Sequence, residues 1–250
     1  MQIILMLRGH ERSTFKKQNL NNFVNKLYKL FGDSLCVYIH TWNYNEAHNS
    51  WRILSNRKNI TKKNVINYFD YNKIKCIVDD EDCLKLHGAQ DIFIGSMPIK
   101  NWKLMWAGQN KIIELISKEY LKCNPYIINM RIDYFDCYTT KKFKITEDSI
   151  LEKCKTAINN YDKITFFFNS VEYDGIDNII FGNMLQMRKL INQFHYKLDT
   201  FYKNYNFCFF HENIVYFEAQ KLNNTFQNPD KFEYYLNIVT NQITNYISNK

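Results

Sequence analysis

Glycine and proline are scarce in this sequence, which has 7 Gly and 3 Pro among 250 residues. Average usage is roughly 7% glycine and 5% proline, so these counts argue against collagen-like chains, flexible linkers and loop-dominated β architectures. Long hydrophobic runs are missing as well, because none approaches the roughly 18 apolar residues that a membrane-spanning helix needs. We therefore expect a chain without flexible linkers and without a membrane span.

The motifs that mark several common enzyme classes are also absent. The sequence has no G-x-G-x-x-G turn and no Walker lysine loop, which disfavours dehydrogenases and P-loop enzymes. It has no H-E-x-x-H spacing and no G-x-S-x-G elbow, which disfavours zinc and serine hydrolases. The 7 cysteines are odd in number and include no C-x-x-C pair, so we expect a reducing, cytoplasmic setting.

Positive charge is in excess, since 33 Lys and Arg stand against 25 Asp and Glu for a formal net charge of +8. Part of the excess lies in a basic segment at 52–63, which contains Arg52, Arg57, Lys58, Lys62 and Lys63. Such a segment either forms a solvated face or attracts phosphates or an anionic membrane surface, which would give peripheral membrane contact. Nucleic acid is not expected as a partner, because no known nucleic-acid-binding motif accompanies the segment.

Short β-branched or aromatic runs alternate with longer segments of helical period, which predicts an α/β sheet with helices on its faces. Strands are expected at Ile3 to Leu7, Leu35 to Ile39, Ile74 to Val78, Tyr126 to Met130, Ile164 to Phe168, Asn178 to Phe181 and Ile214 to Phe217. Helices are expected at Leu20 to Phe31, Asn101 to Leu121, Glu147 to Asn160, Met184 to Phe201 and Tyr234 to Ile247. The pattern indicates one domain spanning residues 1–250.

Ligands of open α/β sheets bind at the carboxyl ends of the strands, so the residues after each expected strand are candidate site residues. Arg8-Gly9-His10-Glu11-Arg12 follows the first strand. There the glycine lets the backbone approach a ligand, and Arg8 or Arg12 can pair with phosphate oxygens. The alternative interpretation is an ordinary turn from strand to loop.

Acidic residues follow the strand that begins at Tyr126, in the run Arg131-Ile132-Asp133-Tyr134-Phe135-Asp136. Two carboxylates at the mouth of a sheet repel each other unless a cation lies between them, and hard divalent ions prefer oxygen ligands. Asp133 and Asp136 are therefore candidate metal ligands, and His211 is a further candidate as a metal ligand or an acid–base group. Alternatively, Arg131 neutralises the acids in an ion pair.

Asp177 lies between two of the scarce glycines, Gly175 and Gly182. It is a candidate general base, able to take a proton from a hydroxyl group. A turn aspartate that holds backbone N–H groups is the alternative. The run Asp79-Asp80-Glu81-Asp82 offers several acids, as a nucleotidyltransferase or nuclease would need to hold metal ions, but a solvated loop is the simpler interpretation.

In their order along the chain, these segments resemble small nucleotide-sugar-dependent glycosyltransferases of the GT-A type, as found among bacterial surface-polysaccharide genes and large DNA viruses. The resemblance covers roughly residues 3–216. Its motifs are Arg8 to Arg12, Val37-Tyr38-Ile39-His40-Thr41-Trp42, the helix from Trp102 to Lys111, Arg131-Ile132-Asp133 and Gly175 to Asn183. It implies a single Rossmann-like GT-A domain with a mixed sheet and helices on both faces.

The resemblance also implies a reaction, in which a sugar moves from a nucleoside-diphosphate sugar to a hydroxyl group of a glycan or other acceptor. It implies that Arg8, Gly9 and His10 line the nucleotide pocket, and that Arg131 and Asp133 lie near the diphosphate with Mn²⁺ or Mg²⁺. Arg131 stands where such enzymes usually carry the first acid of D-x-D, so Arg131 replaces the cation or Asp136 supplies the second carboxylate.

Two acids are candidates for the catalytic base in this scheme. The resemblance implies that Asp177 acts on the acceptor hydroxyl, with Glu212 as the second choice. The alternative function is a non-catalytic module that binds an anionic polymer or membrane surface through the basic segment 52–63.

Overall fold

The computed structural model describes residues 1–46, 58–94, 97–170, 175–205 and 211–224. The strands in these residues are β1 (Ile3–Arg8), β2 (Leu35–Trp42), β3 (Ile74–Asp79), β4 (Phe93–Ile94), β5 (Met97–Pro98), β6 (Tyr126–Arg131), β7 (Thr165–Phe166) and β8 (Ile179–Asn183). Six of them form one mixed sheet in the order β3-β2-β1-β6-β8-β7, and β4 pairs with β5. The expected α/β class with a mixed sheet is confirmed.

Strands β1 and β6 lie side by side in the interior of the sheet, as their apolar sequences predict. All six residues of β1 are buried, and so are the first five of β6. From β1 the sheet continues through β2 to β3 on one side, whereas β6 pairs with the other side of β1. The order of the parallel strands therefore reverses between β1 and β6, and crevices at such a reversal are where open α/β sheets bind ligands.

Helices cover both faces of the sheet. They are α1 (Asn19–Phe31), α2 (Lys62–Tyr68), α3 (Ile99–Glu119), α4 (Tyr138–Lys142), α5 (Glu147–Ile158), α6 (Met184–Asn204) and α7 (His211–Leu222). Side chains of α3, α6 and α7 share one apolar core with one face of the sheet, and side chains of α1, α2 and α5 share a second core with the other. Each fully buried aliphatic side chain in these cores contributes roughly 1.5–3 kcal/mol.

Two expectations about the elements are wrong. Ile214 to Phe217, expected as a strand, lies inside α7, where all four side chains are buried. A short run that is apolar on every side looks the same in a buried helix and in a buried strand. The third helix begins at Ile99, after Pro98, and not at Asn101.

Two further expectations are confirmed only in part or fall outside the described residues. The expected strand from Ile164 to Phe168 contributes only the two residues of β7 to the sheet. The expected last helix, from Tyr234 to Ile247, lies outside the described residues. No helix in the described ranges has both the length and the apolar character needed to cross a membrane.

Gly108 allows α3 to lie close to β2. A Cβ atom added at Gly108 would lie 2.5 Å from Nδ1 of His40, a side chain that is almost fully buried. The His40 ring is held on its other side, because its Nε2–H donates to Asp79 Oδ2 at 2.7 Å. Burial alone would raise the pKa of Asp79, but the bonds from His40 and Lys111 lower that pKa to about 2.

We predict that Gly108→Ala destabilises the protein by about 1–3 kcal/mol, because the added methyl group overlaps a ring that is fixed in place. Helix propensity alone predicts the opposite sign, a gain of about 1 kcal/mol. Urea unfolding measures the difference. In a His40→Ala background the same substitution should cost nothing, and a stabilised Gly108→Ala single variant would contradict this packing.

Candidate functional site

Two arginines end the neighbouring central strands. Arg8 ends β1 and Arg131 ends β6, and the two residues are register partners across the parallel pair. Both side chains therefore start from the same edge of the sheet, where the strand order reverses. Arg8 is only 2% exposed.

Arg8 is held by polar groups from two parts of the chain. Its Nε–H donates to Asn129 Oδ1 at 3.0 Å, and a terminal N–H donates to the backbone carbonyl of Asp177. Asn129 in turn donates to Gln109 Oε1 of α3 at 2.8 Å. Burial lowers the pKa of Arg8 to about 10, although the charges of Asp177 and Asp133 oppose this shift. The guanidinium group stays charged at neutral pH, but nearby carboxylates do not compensate its desolvation fully.

Asp133 is shared by two guanidinium groups. Arg131 donates to its two oxygens from Nε and Nη2, both at 2.9 Å, and Arg12 Nη1 donates to Oδ2 at 2.5 Å. Arg131 also donates to Asn178 Oδ1 at 3.1 Å. Burial opposes ionisation of Arg131, but Asp133 raises the pKa of Arg131 above its usual value. The sequence allows either a metal site or an ion pair with Arg131 in the run 131–136. The structure contains the ion pair, between Arg131 and Asp133.

The three candidate metal ligands Asp133, Asp136 and His211 do not come together as a metal-binding group. Asp136 is turned toward the loop after β1, where it accepts hydrogen bonds from Lys17 and from Thr14, the latter at 3.3 Å. In the described ranges, no three or more His, Cys, Asp or Glu side chains are arranged to hold a metal ion.

His211 begins α7 and is buried among aromatic rings. Its Nε2 accepts from Trp106 Nε1–H at 2.9 Å, so the neutral ring carries its proton on Nδ1 and donates it to the Tyr202 hydroxyl. Trp102 stacks on the ring with centroids 4.1 Å apart. Burial, together with the charge of Arg8, lowers the pKa of His211 to about 3. His211 is therefore neutral at physiological pH, and both of its nitrogens are engaged.

Asp177 lies in a short 3₁₀ turn, Ile176–Asn178, that begins after Gly175. The residue is 5% exposed, yet its carboxylate makes no hydrogen bond or ion pair with any described residue. The turn requires a glycine at Gly175, where φ is +70° and a Cβ atom would lie 2.2 Å from Asn178 Nδ2. Burial lowers the pKa of Arg8 and the charge of Asp177 opposes this shift, and the same charge acts on Arg131, so the Asp177 carboxylate lies near both arginines.

Glu212 approaches the same place from α7. It lies in the first turn of that helix, which packs against the turn that holds Asp177. Burial, and then the charges of Glu212 and Asp177, raise the pKa of the Tyr202 hydroxyl. Both candidate bases therefore lie near one tyrosine, which the sequence interpretation did not single out.

Gly9 and His10 continue from β1 toward β2 and β3. The Gly9 N–H donates to the His40 carbonyl at 3.2 Å, and His10 Nε2 lies 2.9 Å from Glu81 Oε2. Burial lowers the pKa of His10, and Glu81 opposes the shift. Glu81 and Asp79 thus pair with different histidines, and the acidic run 79–82 forms no metal-binding group in the described residues.

Three polar residues of the site were missed in the sequence: Asn129, Gln109 and Asn178. One signal was available for Asn129, because it is the only polar residue in the apolar run from Tyr126 to Met130. A polar side chain inside a buried strand needs a partner. Its partner, Arg8, lies 121 positions away in the sequence, so spacing gives no indication of the pair.

Comparison with known proteins yields no relative: no protein-family model matches the chain, and no curated protein or solved structure matches it significantly.

Glu11, in the loop after β1, is a buried acid at the border of this site. It is 6% exposed, and its Oε2 accepts the Phe15 N–H at 3.3 Å. Burial is the largest cause that raises the pKa of Glu11 from 4.5 to about 7. Because the folded state holds this proton more tightly, the contribution of Glu11 to stability is lost as the pH rises from about 4.5 to about 7.

We predict that Glu11→Gln removes this pH dependence and makes the protein more stable than the wild type at pH 8, by about 1–3 kcal/mol. Urea unfolding at pH 5 and pH 8 measures the effect. The exposed Asp162 provides a matched control, since Asp162→Asn should change neither value much. Equal pH dependence in Glu11→Gln and the wild type would contradict the raised pKa.

Proposed function

We propose that this chain is a nucleotide-sugar-dependent glycosyltransferase with a Rossmann-like GT-A arrangement, which moves a sugar from a nucleoside-diphosphate sugar to a hydroxyl group of a glycan. One observation carries the proposal: Asp177, a buried residue whose carboxylate has no partner among the described residues, lies near the buried Arg8 and the partly buried Arg131 at the reversal of strand order. Such a site holds an anion and removes a proton next to it. The resemblance of the sequence motifs supports the choice of reaction.

Arg8, Arg12 and Arg131 are the proposed ligands of the donor diphosphate. A guanidinium fork pairs with phosphate oxygens through two N–H groups, and its attraction is stronger at a buried edge than in water. Burial lowers the pKa of Arg8, because the buried charge is not fully compensated by nearby carboxylates. A bound anion would therefore stabilise the charged form of Arg8. As the nucleoside diphosphate leaves, the guanidinium groups stabilise its growing negative charge, because they are already in position before the reaction.

A divalent cation stays a prediction of the resemblance. As arranged here, Asp133 does not fit that role, because Arg131 and Arg12 already donate to its oxygens. A metal ion would have to replace those bonds, and Asp136 is turned away toward Lys17. The proposed mechanism therefore assigns the stabilising positive charge to the arginines and includes no step through a metal ion.

Asp177 is the proposed general base. It takes the proton from the acceptor hydroxyl as that oxygen bonds to the anomeric carbon, and the bond from this carbon to the diphosphate oxygen breaks. The electron pair of that bond leaves with the nucleoside diphosphate. Glu212 is the second candidate for the base, because it lies near the same tyrosine, Tyr202.

The alternative, a binding module that uses the basic segment 52–63, depends on a different surface. Lys58, Lys62 and Lys63 are solvent-exposed at and before the start of α2. Arg52 and Arg57 lie outside the described residues. A Lys62→Glu/Lys63→Glu variant therefore separates the two functions, since it alters this surface and leaves the buried arginines unchanged.

A thermal-shift screen against nucleoside-diphosphate sugars, with manganese and with chelator, tests donor binding first. We expect at least one donor to raise the melting temperature in the wild type and equally in Lys62→Glu/Lys63→Glu. A donor that stabilises the protein in chelator as well as in manganese supports the arginine site. If no donor stabilises the wild type under either condition, the proposed function is wrong.

With the donor found in that screen, we predict that Asp177→Asn lowers turnover by roughly 10²- to 10⁴-fold, since the amide keeps the shape but cannot take the proton. Donor affinity should not fall, because Arg8 contacts the backbone carbonyl of Asp177 and the loss of a negative charge near Arg8 does not weaken anion binding. Calorimetry and a transfer or donor-hydrolysis assay on one preparation give both values. A near-normal rate in Asp177→Asn, with a collapsed rate in Glu212→Gln, would assign the base to Glu212.

A further inference from the structure

The arrangement around Asp133 has the form of an occupied anion site. Three N–H donors converge on one carboxylate: Nε and Nη2 of Arg131, and Nη1 of Arg12. The carboxylate is 3% exposed, so water does not substitute for these donors. The same donors suit a phosphate group, because its oxygens accept guanidinium N–H groups in the same forked geometry.

A phosphate group and the Asp133 carboxylate cannot occupy this position together. The Nε and Nη2 groups of Arg131 and the Nη1 group of Arg12 already donate to the carboxylate, so a phosphate oxygen can take the same place only when the carboxylate gives up these N–H groups. An anion that binds here has to displace the carboxylate, and its affinity is reduced by the free energy of the bonds that Asp133 loses.

We propose that Asp133 is a built-in competitor that occupies the oxyanion position between Arg12 and Arg131 in the ligand-free protein, so that a diphosphate displaces it and a singly charged anion does not. That the natural ligand is a donor diphosphate rests on the proposed function. The competition itself rests only on the geometry of the three side chains.

The selectivity follows from the difference between the two exchanges. A singly charged carboxylate offers the arginines the same charge and the same acceptors that Asp133 already provides, so nothing is gained by the exchange. A diphosphate offers more charge and more acceptor oxygens, and the positive charge of Arg8 also acts at the position of Asp133. The specificity comes from the free energy that is lost when Asp133 leaves the arginines, because only a ligand with more charge and more acceptors compensates for that loss.

Arg12 is more exposed than Asp133, the acid with which it pairs. Its side chain is 20% exposed, whereas that of Asp133 is 4% exposed. Arg12 also has a φ of +54°, a conformation that costs an L-residue roughly 1 kcal/mol, and its N–H donates to the Asn45 carbonyl at 2.7 Å. In this pair, Arg12 is therefore partly open to solvent while the carboxylate is covered.

Titration calorimetry with inorganic pyrophosphate and with acetate, both in chelator, tests the proposal on the wild type and on Asp133→Asn. We expect Asp133→Asn to bind pyrophosphate at least about tenfold more tightly than the wild type, because the competitor is gone. It should also bind acetate measurably, where the wild type does not. Asp136→Asn is the matched control, since Asp136 pairs with Lys17 outside the arginine pair, and its affinities should equal those of the wild type.

Weaker or unchanged pyrophosphate binding by Asp133→Asn would overturn the proposal. In a parallel titration in manganese, weaker pyrophosphate binding by Asp133→Asn than by the wild type would make Asp133 a metal ligand and would also overturn the proposal. Asp133→Ser, which leaves the position open, is the second variant. Both variants should melt at a lower temperature than the wild type without anion and gain more from pyrophosphate. A variant that stays unfolded in saturating pyrophosphate would also overturn the proposal.

These results are separable from those that test the proposed function. If pyrophosphate binds as expected while no nucleoside-diphosphate sugar binds to any variant, the proposed donor is wrong and the competition stands. If donors bind and turn over while Asp133→Asn gains no affinity, the proposed function stands and the competition is wrong.

Discussion

Two like charges lie at the ends of neighbouring parallel strands, Arg8 on β1 and Arg131 on β6, and much of the site can be understood as a response to them. Burial is the main cause that lowers the pKa of Arg8, and the positive charge of Arg131 adds to this shift. At the effective dielectric constant of a protein, two such charges a few ångströms apart repel by a few kcal/mol. A sheet that ends in two arginines therefore requires nearby carboxylates and amide oxygens, and the chain supplies both.

The direction of β8 explains how the chain supplies them. Because β8 runs antiparallel to β6, its first residue, Ile179, pairs with Met130 near the end of β6. The turn just before β8 therefore lies over the strand ends, where Asn178 accepts from Arg131 and the Asp177 carbonyl accepts from Arg8. No described residue pairs with the Asp177 carboxylate, which is why Asp177 is the proposed base.

The sequence predicts the scaffold of this site better than its contacts. The apolar runs that begin at Ile3 and at Tyr126 predict the two central strands. Ligands of open α/β sheets bind at the carboxyl ends of parallel strands, so these two strands also predict the edge of the sheet at which the site lies. Strand ends and turns also locate Arg8, Arg131 and Asp177. The pairing of Asp133 with Arg12 does not follow, because it joins loops 121 positions apart and depends on side-chain direction. The expected strand at Ile214 to Phe217 would put His211 and Glu212 in a loop, whereas they form the first turn of α7. The sequence does not reveal this helix, because its buried residues leave no clear polar face.

A crystal of the protein soaked with a nucleoside diphosphate in chelator would show whether the arginines bind the anion. We predict that diphosphate oxygens lie within about 3.2 Å of guanidinium nitrogens of Arg8, Arg12 or Arg131, with the Asp133 carboxylate moved away from at least one of them. A diphosphate bound elsewhere on the protein, with the bonds from Arg12 and Arg131 to Asp133 intact, would contradict this prediction.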